Sequence, residues 1–378
     1  MLKIFMTGDN HIGSSYAGHT AREIIINKKI DAFEKMVAKA NDEKCDIFVI
    51  TGDLFHNNSN IAKKDIKAVI NYLSVFNGTV FVLPGNHDYY DGQCDLWKNF
   101  EEIKSQNGVD NIAIIRECKP YSFSSKENDI IIYPAPCDSK LSEENKIGWI
   151  KEENIIPDGT YRIGIAHGAI EGKSLDNEGR YYLMTEDELE SIPVDAWLIG
   201  HMHVPFPGNL SEEFTKSGKI FNAGSHVQQK ISNNTEGLCF IIEIDEDKKV
   251  KAKKFISGNI RFYRPEIRLS AGKMEEILER ELFRYEDDCI IDKMELSGAV
   301  TFEEYDNRFE IIEKYCSRFA ECTYKSENIS KLISKELIDS EFAETSLSAE
   351  VLSALLEEPK EAQLVYELLG ELKGGKRK

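Results

Sequence analysis

Five short blocks in the first half of the chain carry oxygen and imidazole side chains at spacings that suit metal chemistry. They are Asp9-Asn10-His11, Gly52-Asp53-Leu54-Phe55-His56, Gly85-Asn86-His87-Asp88, Ala166-His167-Gly168 and Gly200-His201-Met202-His203. Oxygen donors mixed with imidazole, without thiolate, suit manganese, iron, zinc or magnesium better than a structural cysteine-zinc site. Attack on a phosphodiester is the chemistry that needs such a set. That group is a poor electrophile wrapped in negative charge. Two cations held about 3.5–4 Å apart neutralise it, activate water near neutral pH and align the attack in line. A carboxylate shared by both ions would fix their spacing, and Asp53, behind a glycine at the end of an apolar run, is the bridge candidate. In a D-x-H pattern, extended backbone puts residues i and i+2 on one face, so Asp9 and His11 can reach one ion. His201 and His203 follow the same logic, although a turn there could send them to different ions. Taken singly, each block is weak: a lone D-x-H is more often coincidence than a ligand pair, and a lone histidine at a strand end is usually a hydrogen-bonded imidazole. All five in order, each behind a predicted strand, carry the reading.

The elements that must position these blocks are legible as apolar runs. Leu2–Thr7, Asp46–Thr51, Thr79–Leu83, Ile130–Tyr133, Arg162–Ala166 and Ala196–Ile199 have strand length and composition. Residues 21–40, 61–76 and 96–105 read as helices; the first spaces Ile24, Ile25, Ala32, Phe33, Met36 and Val37 along one face. Strand and helix alternating predicts an α/β core, whose active site lies beyond the carboxyl ends of the strands. From 219 to 256 the pattern becomes β-rich, as a closing sheet would. The expected domains are 1–258, a small α+β unit over 259–328, and a helical segment over 329–378. The α+β unit reads as strand (262–269), helix (274–285), strand (290–296), helix (302–319), strand (321–326). The last segment holds helical stretches at 348–356 and 360–372, parted by Pro359. Their Leu352, Leu355, Leu356, Leu364, Val365, Leu368 and Leu369 are more apolar than a solvated tail needs.

The 378 residues carry a formal charge of −19, spread along the chain, which by itself disfavours nucleic acid. Yet 248–268 holds eight basic residues against one acid, Glu266. Lys251, Lys253, Lys254, Arg261 and Arg264 are therefore candidate phosphate-backbone contacts; a solvated β-hairpin is the alternative, since Lys251 and Lys253 alternate with Val250 and Ala252. Eight cysteines form no C-x-x-C pair, which reads as reduced thiols in a cytoplasm. No apolar run has the length of a membrane span, and MLKIFMTGDNHIG does not read as a secretory signal.

Over about residues 1–240 these blocks resemble the calcineurin-like metallophosphoesterase family, and GDLFH followed by GNHD is similar to the SbcD nuclease group and its Mre-type relatives. The resemblance implies a β-sandwich flanked by helices, with an α+β capping domain and a C-terminal helical segment. It implies that Asp9, His11, Asp53 and His203 hold one ion and Asp53, Asn86, His167 and His201 the other. It gives His87 to the leaving group, Asp88 to the orientation of His87, and His56 to the seating of a DNA end. Manganese is the implied metal, with magnesium, iron or zinc as alternatives. The implied activity is exonuclease or endonuclease cleavage in DNA repair. The implied partners are DNA, an SbcC-like coiled-coil ATPase docked by the C-terminal helices, and a second copy of the chain. Protein phosphatases of the superfamily carry GD-x-x-DRG and GNHE where this chain has GDLFHNN and GNHD, which argues against a phosphoprotein substrate. His226, in NAGSHVQQ, departs from the nuclease group; it reads as a surface imidazole, with a place near the site as the alternative. Two other readings stand beside the nuclease: an enzyme acting on a small phosphoester such as a cyclic nucleotide, and a non-catalytic scaffold that binds DNA or a partner.

Overall fold

The computed structural model describes residues 1–125, 128–152, 161–173, 176 and 178–374. The chain divides into two compact units, Met1–Arg261 and Phe262–Lys378. The first contains, in order, β1 (Leu2–Thr7), α1 (Arg22–Asp42), β2 (Ile47–Ile50), α2 (Lys63–Ser74), β3 (Thr79–Val82), α3 (Asp95–Gln106), β4 (Ile112–Ile114), β5 (Tyr121–Ser125), β6 (Asn128–Ala135), β7 (Tyr161–His167), α4 (Glu186–Ser191), β8 (Ala196–Gly200), β9 (Thr215–Lys216), β10 (Ile220–Phe221), β11 (Leu238–Ile244) and β12 (Val250–Ile256).

These strands form two sheets, a seven-stranded one ordered β4-β3-β2-β1-β11-β12-β9 and a five-stranded one ordered β10-β8-β7-β6-β5. β1 to β4 are mutually parallel, as are β6, β7, β8 and β10. Because side chains alternate across a strand, each sheet has an inner and an outer apolar face. Ile4, Met6, Ile47, Val49 and Phe81 of the first sheet share one buried cluster with Ile132, Ile163, Ile165 and Leu198 of the second. The residues between them, Phe5, Phe48, Ile50, Val80 and Val82, pack outward on Phe33, Met36, Ile66, Ile70, Trp97 and Phe100 of the three long helices. Tyr133, Trp197 and Ile199 on the far face of the second sheet meet Ile150, Leu189 and Ile192. Burial on both faces explains why β2 reads as an unbroken apolar run rather than an alternating one. The result is the helix-flanked β-sandwich expected from the sequence. Three short strands escaped prediction: β4 has three residues, β9 has two, and β5 (YSFSS) alternates apolar with polar at the edge of its sheet.

The second unit contains β13 (Phe262–Tyr263), β14 (Glu266–Ser270), α5 (Met274–Leu282), β15 (Ile290–Val300), α6 (Phe302–Asp306), α7 (Arg308–Cys316), β16 (Glu321–Lys331), α8 (Lys335–Glu341), α9 (Leu347–Ala354) and α10 (Pro359–Gly374). β15 is central, with β13 and β14 along one edge and β16 along the other, all parallel. Pro265, which has no N–H to donate, separates β13 from β14. Ile267, Met274, Leu278, Met294, Ile312 and Ile329 form the core. Leu337, Ile338, Leu352 and Ala362 of α8–α10 make a small cluster of their own. Among the described residues, no helix is long and apolar enough to cross a membrane.

Candidate metal centre

The chain turns sharply where β1, β2 and β8 end. Asp9 (φ 49°), His11 (46°), Asp53 (53°), His201 (99°) and His203 (55°) all have left-handed backbone, which strains any residue with a Cβ. Such strain persists only where the surroundings over-determine it. Here the loops after β1 and β2 are stitched together. Asp9 N–H donates to Gly52 O (3.1 Å), His11 N–H to Asp53 O (2.8 Å), Ile12 N–H to Leu54 O (2.9 Å) and His56 N–H to Ile12 O (2.8 Å).

The side chains from these turns meet in two sets. In the first, ligand atoms of Asp9, His11, Asp53 and His203 lie within 4.8 Å of one another. The Nε2 atoms of His11 and His203 face each other at 3.1 Å. In the second, His167 Nε2 is 3.0 Å from Asn86 Oδ1, and His201 Nδ1 is 3.2 Å from the same oxygen. Asp53 belongs to both. Its Oδ2 is 3.5 Å from His11 Nε2 and 3.5 Å from His167 Nε2, and it is fully buried without a hydrogen-bond partner. Its Oδ1 accepts from the backbone N–H of His87 at 2.8 Å. An orphaned buried carboxylate oxygen is costly. One that sits between two clusters of nitrogen and oxygen donors is where a bridging ligand belongs, so the residues fit a pair of divalent ions. The alternation argument for Asp9 and His11 needs correction: they converge through a tight left-handed turn, not along an extended strand. His201 and His203, left open by the sequence, fall into different sets.

A model of the calcineurin-like phosphoesterase family matches residues 2–205, more than half of the chain. The chain belongs to the calcineurin-like phosphoesterase family. The chain is 25% identical over 236 residues to the metallophosphoesterase YhaO of Bacillus subtilis (strain 168), covering 57% of this chain and 54% of that one. It is 36% identical over 93 residues to the metallophosphoesterase Cj0846 of Campylobacter jejuni, 24% of this chain and 21% of that one. The chain thus spans about half the length of YhaO and less of Cj0846. Among solved structures, TT1561 of Thermus thermophilus aligns at a TM-score of 0.41 and 12% identity, covering 68% of this chain and 99% of that one. A dimetal phosphatase from Danio rerio aligns at 0.37 and 9%, covering 64% and 92%. Both likenesses are too slight to bear on function.

The electrostatics of the candidate site follow from its burial. Burial alone would push the His167 ring down, but Asp53 beside it outweighs this and raises His167 to about 9. His201 is driven the other way, to about 3, by burial and then by the charge on His167. Metal uptake at the second set must therefore displace a proton from His167. The sign follows: below pH 9 the proton competes, so affinity should rise with pH and level off near 9. Titrations with Mn2+ in buffers of different ionisation enthalpy should register close to one proton released per ion at that site near neutral pH; uptake without proton release would contradict the His167 assignment.

His56 and His87 stand beside the first set, both half-buried, with rings stacked at 5.4 Å. His87 Nδ1 lies 2.9 Å from the His56 carbonyl, an orientation that leaves Nε2 for a substrate. Asp88 does not orient His87 as expected. Its two oxygens accept from Gly85 N–H (2.7 Å) and Phe55 N–H (3.0 Å), so it clamps the loop after β3 to the loop after β2. In the basic run, Lys253 pairs with Glu43 (2.8 Å), Arg261 lies 3.8 Å from Glu236 and Arg264 pairs with Asp292 (2.6 Å). Those three charges have local carboxylates to answer them; Lys251 is exposed on β12 and Lys254 half-buried. His226 is not a surface imidazole. It is completely buried, 2.9 Å from the Lys29 carbonyl through Nε2. Tyr181, to which the sequence assigned nothing, lies with its ring 5.0 Å from that of His201.

Replacing His87 with alanine should lower turnover on an aryl phosphodiester by roughly 10²–10⁴-fold, the usual worth of a positioned proton donor. The ligand atoms of His87, His56 and His11 also lie within 4.8 Å of one another, so metal content decides its role: both ions should stay bound if His87 serves as the proton donor, and loss of an ion in elemental analysis would make it a ligand instead.

Proposed function

We propose that this protein is a two-metal phosphodiesterase that cleaves DNA. The observation that carries the hydrolytic part is Asp53 Oδ2, buried, unpartnered and equidistant from His11 and His167. Two ions held there would supply Lewis acidity and activated water for in-line attack. The protein's own residues do the rest. Asp53 fixes the spacing, and the stitched loops after β1 and β2 keep its ligands from moving. His87, turned by the His56 carbonyl, is placed to protonate the departing oxygen.

Support for DNA over a small phosphoester comes from GDLFH and GNHD and from the half-exposed His56–His87 pair, which stands with His11 at the edge of the first set and can meet a long substrate. A partner ATPase of the SbcC type fits α10, where Leu364, Leu368 and Leu372 are 58%, 49% and 71% exposed. Residues four apart share one helix face, so these three form a stripe of the kind that docks on another helix. Leu364→Glu with Leu368→Glu should weaken binding of the purified ATPase at least tenfold while leaving aryl phosphodiester hydrolysis within twofold. Unchanged binding would remove the docking role.

The deciding experiment is Mn2+-dependent degradation of labelled duplex and single-stranded DNA beside cyclic nucleotides, with and without the ATPase. Cleavage of cyclic nucleotides and not of DNA would replace this reading with the small-phosphoester one. Inertness toward every phosphoester, with both ions bound, would favour the scaffold.

A further inference from the structure

Lys29, on α1, is 2% exposed, yet it makes no ion pair among the described residues. Its Nζ donates to the His11 carbonyl (2.8 Å) and to Gln229 Oε1 (2.7 Å), with Ser14 Oγ and Tyr16 Oη each at 3.4 Å. Gln229 in turn uses its amide nitrogen on the carbonyls of Asp9 (3.0 Å) and Asn10 (3.4 Å). Three consecutive carbonyls of the turn after β1 are thus satisfied by side chains: those of Asp9 and Asn10 by Gln229, and that of His11 by Lys29 together with the Ser14 hydroxyl at 2.7 Å. The N–H groups of Asp9 and His11 face the opposite way and bind Gly52 and Asp53 carbonyls. His226 donates to the Lys29 carbonyl and ties α1 to the loop that carries Gln229.

Burying an ammonium among neutral acceptors costs stability that an aliphatic residue would not. Burial holds the Lys29 amine well below the usual lysine value, and any cation there would be repelled by neighbouring cations, so charge attraction cannot explain Lys29 beside a metal centre. What lysine offers is several donors at one point, each aimed at a different oxygen. We propose that Lys29 and Gln229 are positioning residues that hold Asp9 and His11 in the left-handed geometry their ion requires. The inference rests on the two-metal reading above. It assigns the two residues to the first ion set and not to the second.

Gln229→Glu separates the geometric role from an electrostatic one. The new carboxylate keeps the acceptor for Lys29 but loses the donor to Asp9 and Asn10. Its added negative charge would tighten a nearby cation if charge were what mattered; the positioning role demands weaker binding. Metal-free protein is titrated with diamagnetic Zn2+ by calorimetry, with histidine nitrogen NMR of His11 and His203 against His167 and His201 to tell the two sites apart. Expected are two ions in the wild type, and about 10–100-fold weaker binding at the His11/His203 site in Gln229→Glu and in Lys29→Met, with the other site within threefold. Lys35→Met, at an exposed lysine of the same helix, should match the wild type. Melting of the metal-free Gln229→Glu protein near the wild-type temperature would show that folding is intact. Equal affinities in variant and wild type, or equal weakening at both sites, would overturn the positioning role and leave the metal centre standing. A wild type that binds fewer than two ions would overturn both.

Discussion

Asp53→Ala should reduce Mn2+-dependent phosphodiester hydrolysis by roughly 10⁴-fold or more, the scale seen when one member of a group acting as a unit is removed. The reason is position. Asp53 is the side chain common to the two sets, its Oδ1 fixes the backbone of His87, and its Oδ2 has no hydrogen bond and lies 3.5 Å from both His11 and His167. Alanine removes the oxygen that spaces the ions and the acceptor that shapes the loop after β3. The fold should survive. Burial alone would raise the Asp53 carboxyl, but in the metal-free protein His167 and then His11 hold it well below the usual carboxylate range. Removing it leaves a small apolar side chain in a buried place. Circular dichroism should be unchanged, while elemental analysis should find fewer than two ions. Activity within tenfold of the wild type would end the assignment of Asp53 as bridge.

Gly52→Ala should be nearly as damaging, although it removes no ligand. A Cβ at Gly52 would lie 2.2 Å from His167 Nδ1 and 2.9 Å from Gly85 Cα, and the backbone there has φ +101°. Neither neighbour can yield. His167 Nδ1 is already held at 2.9 Å by the Thr51 carbonyl, and Gly85 is itself backed by Asp53. The imidazole must shift by the order of an ångström, and a displacement of that size costs about 10²-fold in rate. The ion bound through Asn86, His167 and His201 should be lost first. Gly92→Ala is the control: φ is also positive (+78°), but the space around it is open. It should cost about 1 kcal/mol of stability and no activity. A Gly52→Ala enzyme with normal rates and two ions would mean that His167 is not a ligand.

The strands were legible because they are apolar runs of ordinary length ending in the blocks that carry the chemistry; their pairing into a sandwich came from the family resemblance. β4 and β5 were not, because three residues or an edge alternation leave too little pattern. The ligand types could be read from Asp9, Asp53, Asn86 and the histidines, but the turn geometry that unites them depends on contacts between loops distant in sequence. His226 shows the same limit from the other side. Its polar neighbours suggest a surface, whereas its burial is fixed by a carbonyl 197 residues away. So too with the basic run, where Lys253 is answered by Glu43, on the far side of the sequence.

The left-handed turns at Asp9, His11, Asp53, His201 and His203 bear on how the protein responds to metal scarcity. Each strained residue costs on the order of 1–3 kcal/mol, and cations drawn to its side chain offset that cost. Starved of them, the layered body would endure and its rim would rest on hydrogen bonds alone, carrying a cost that nothing else offsets.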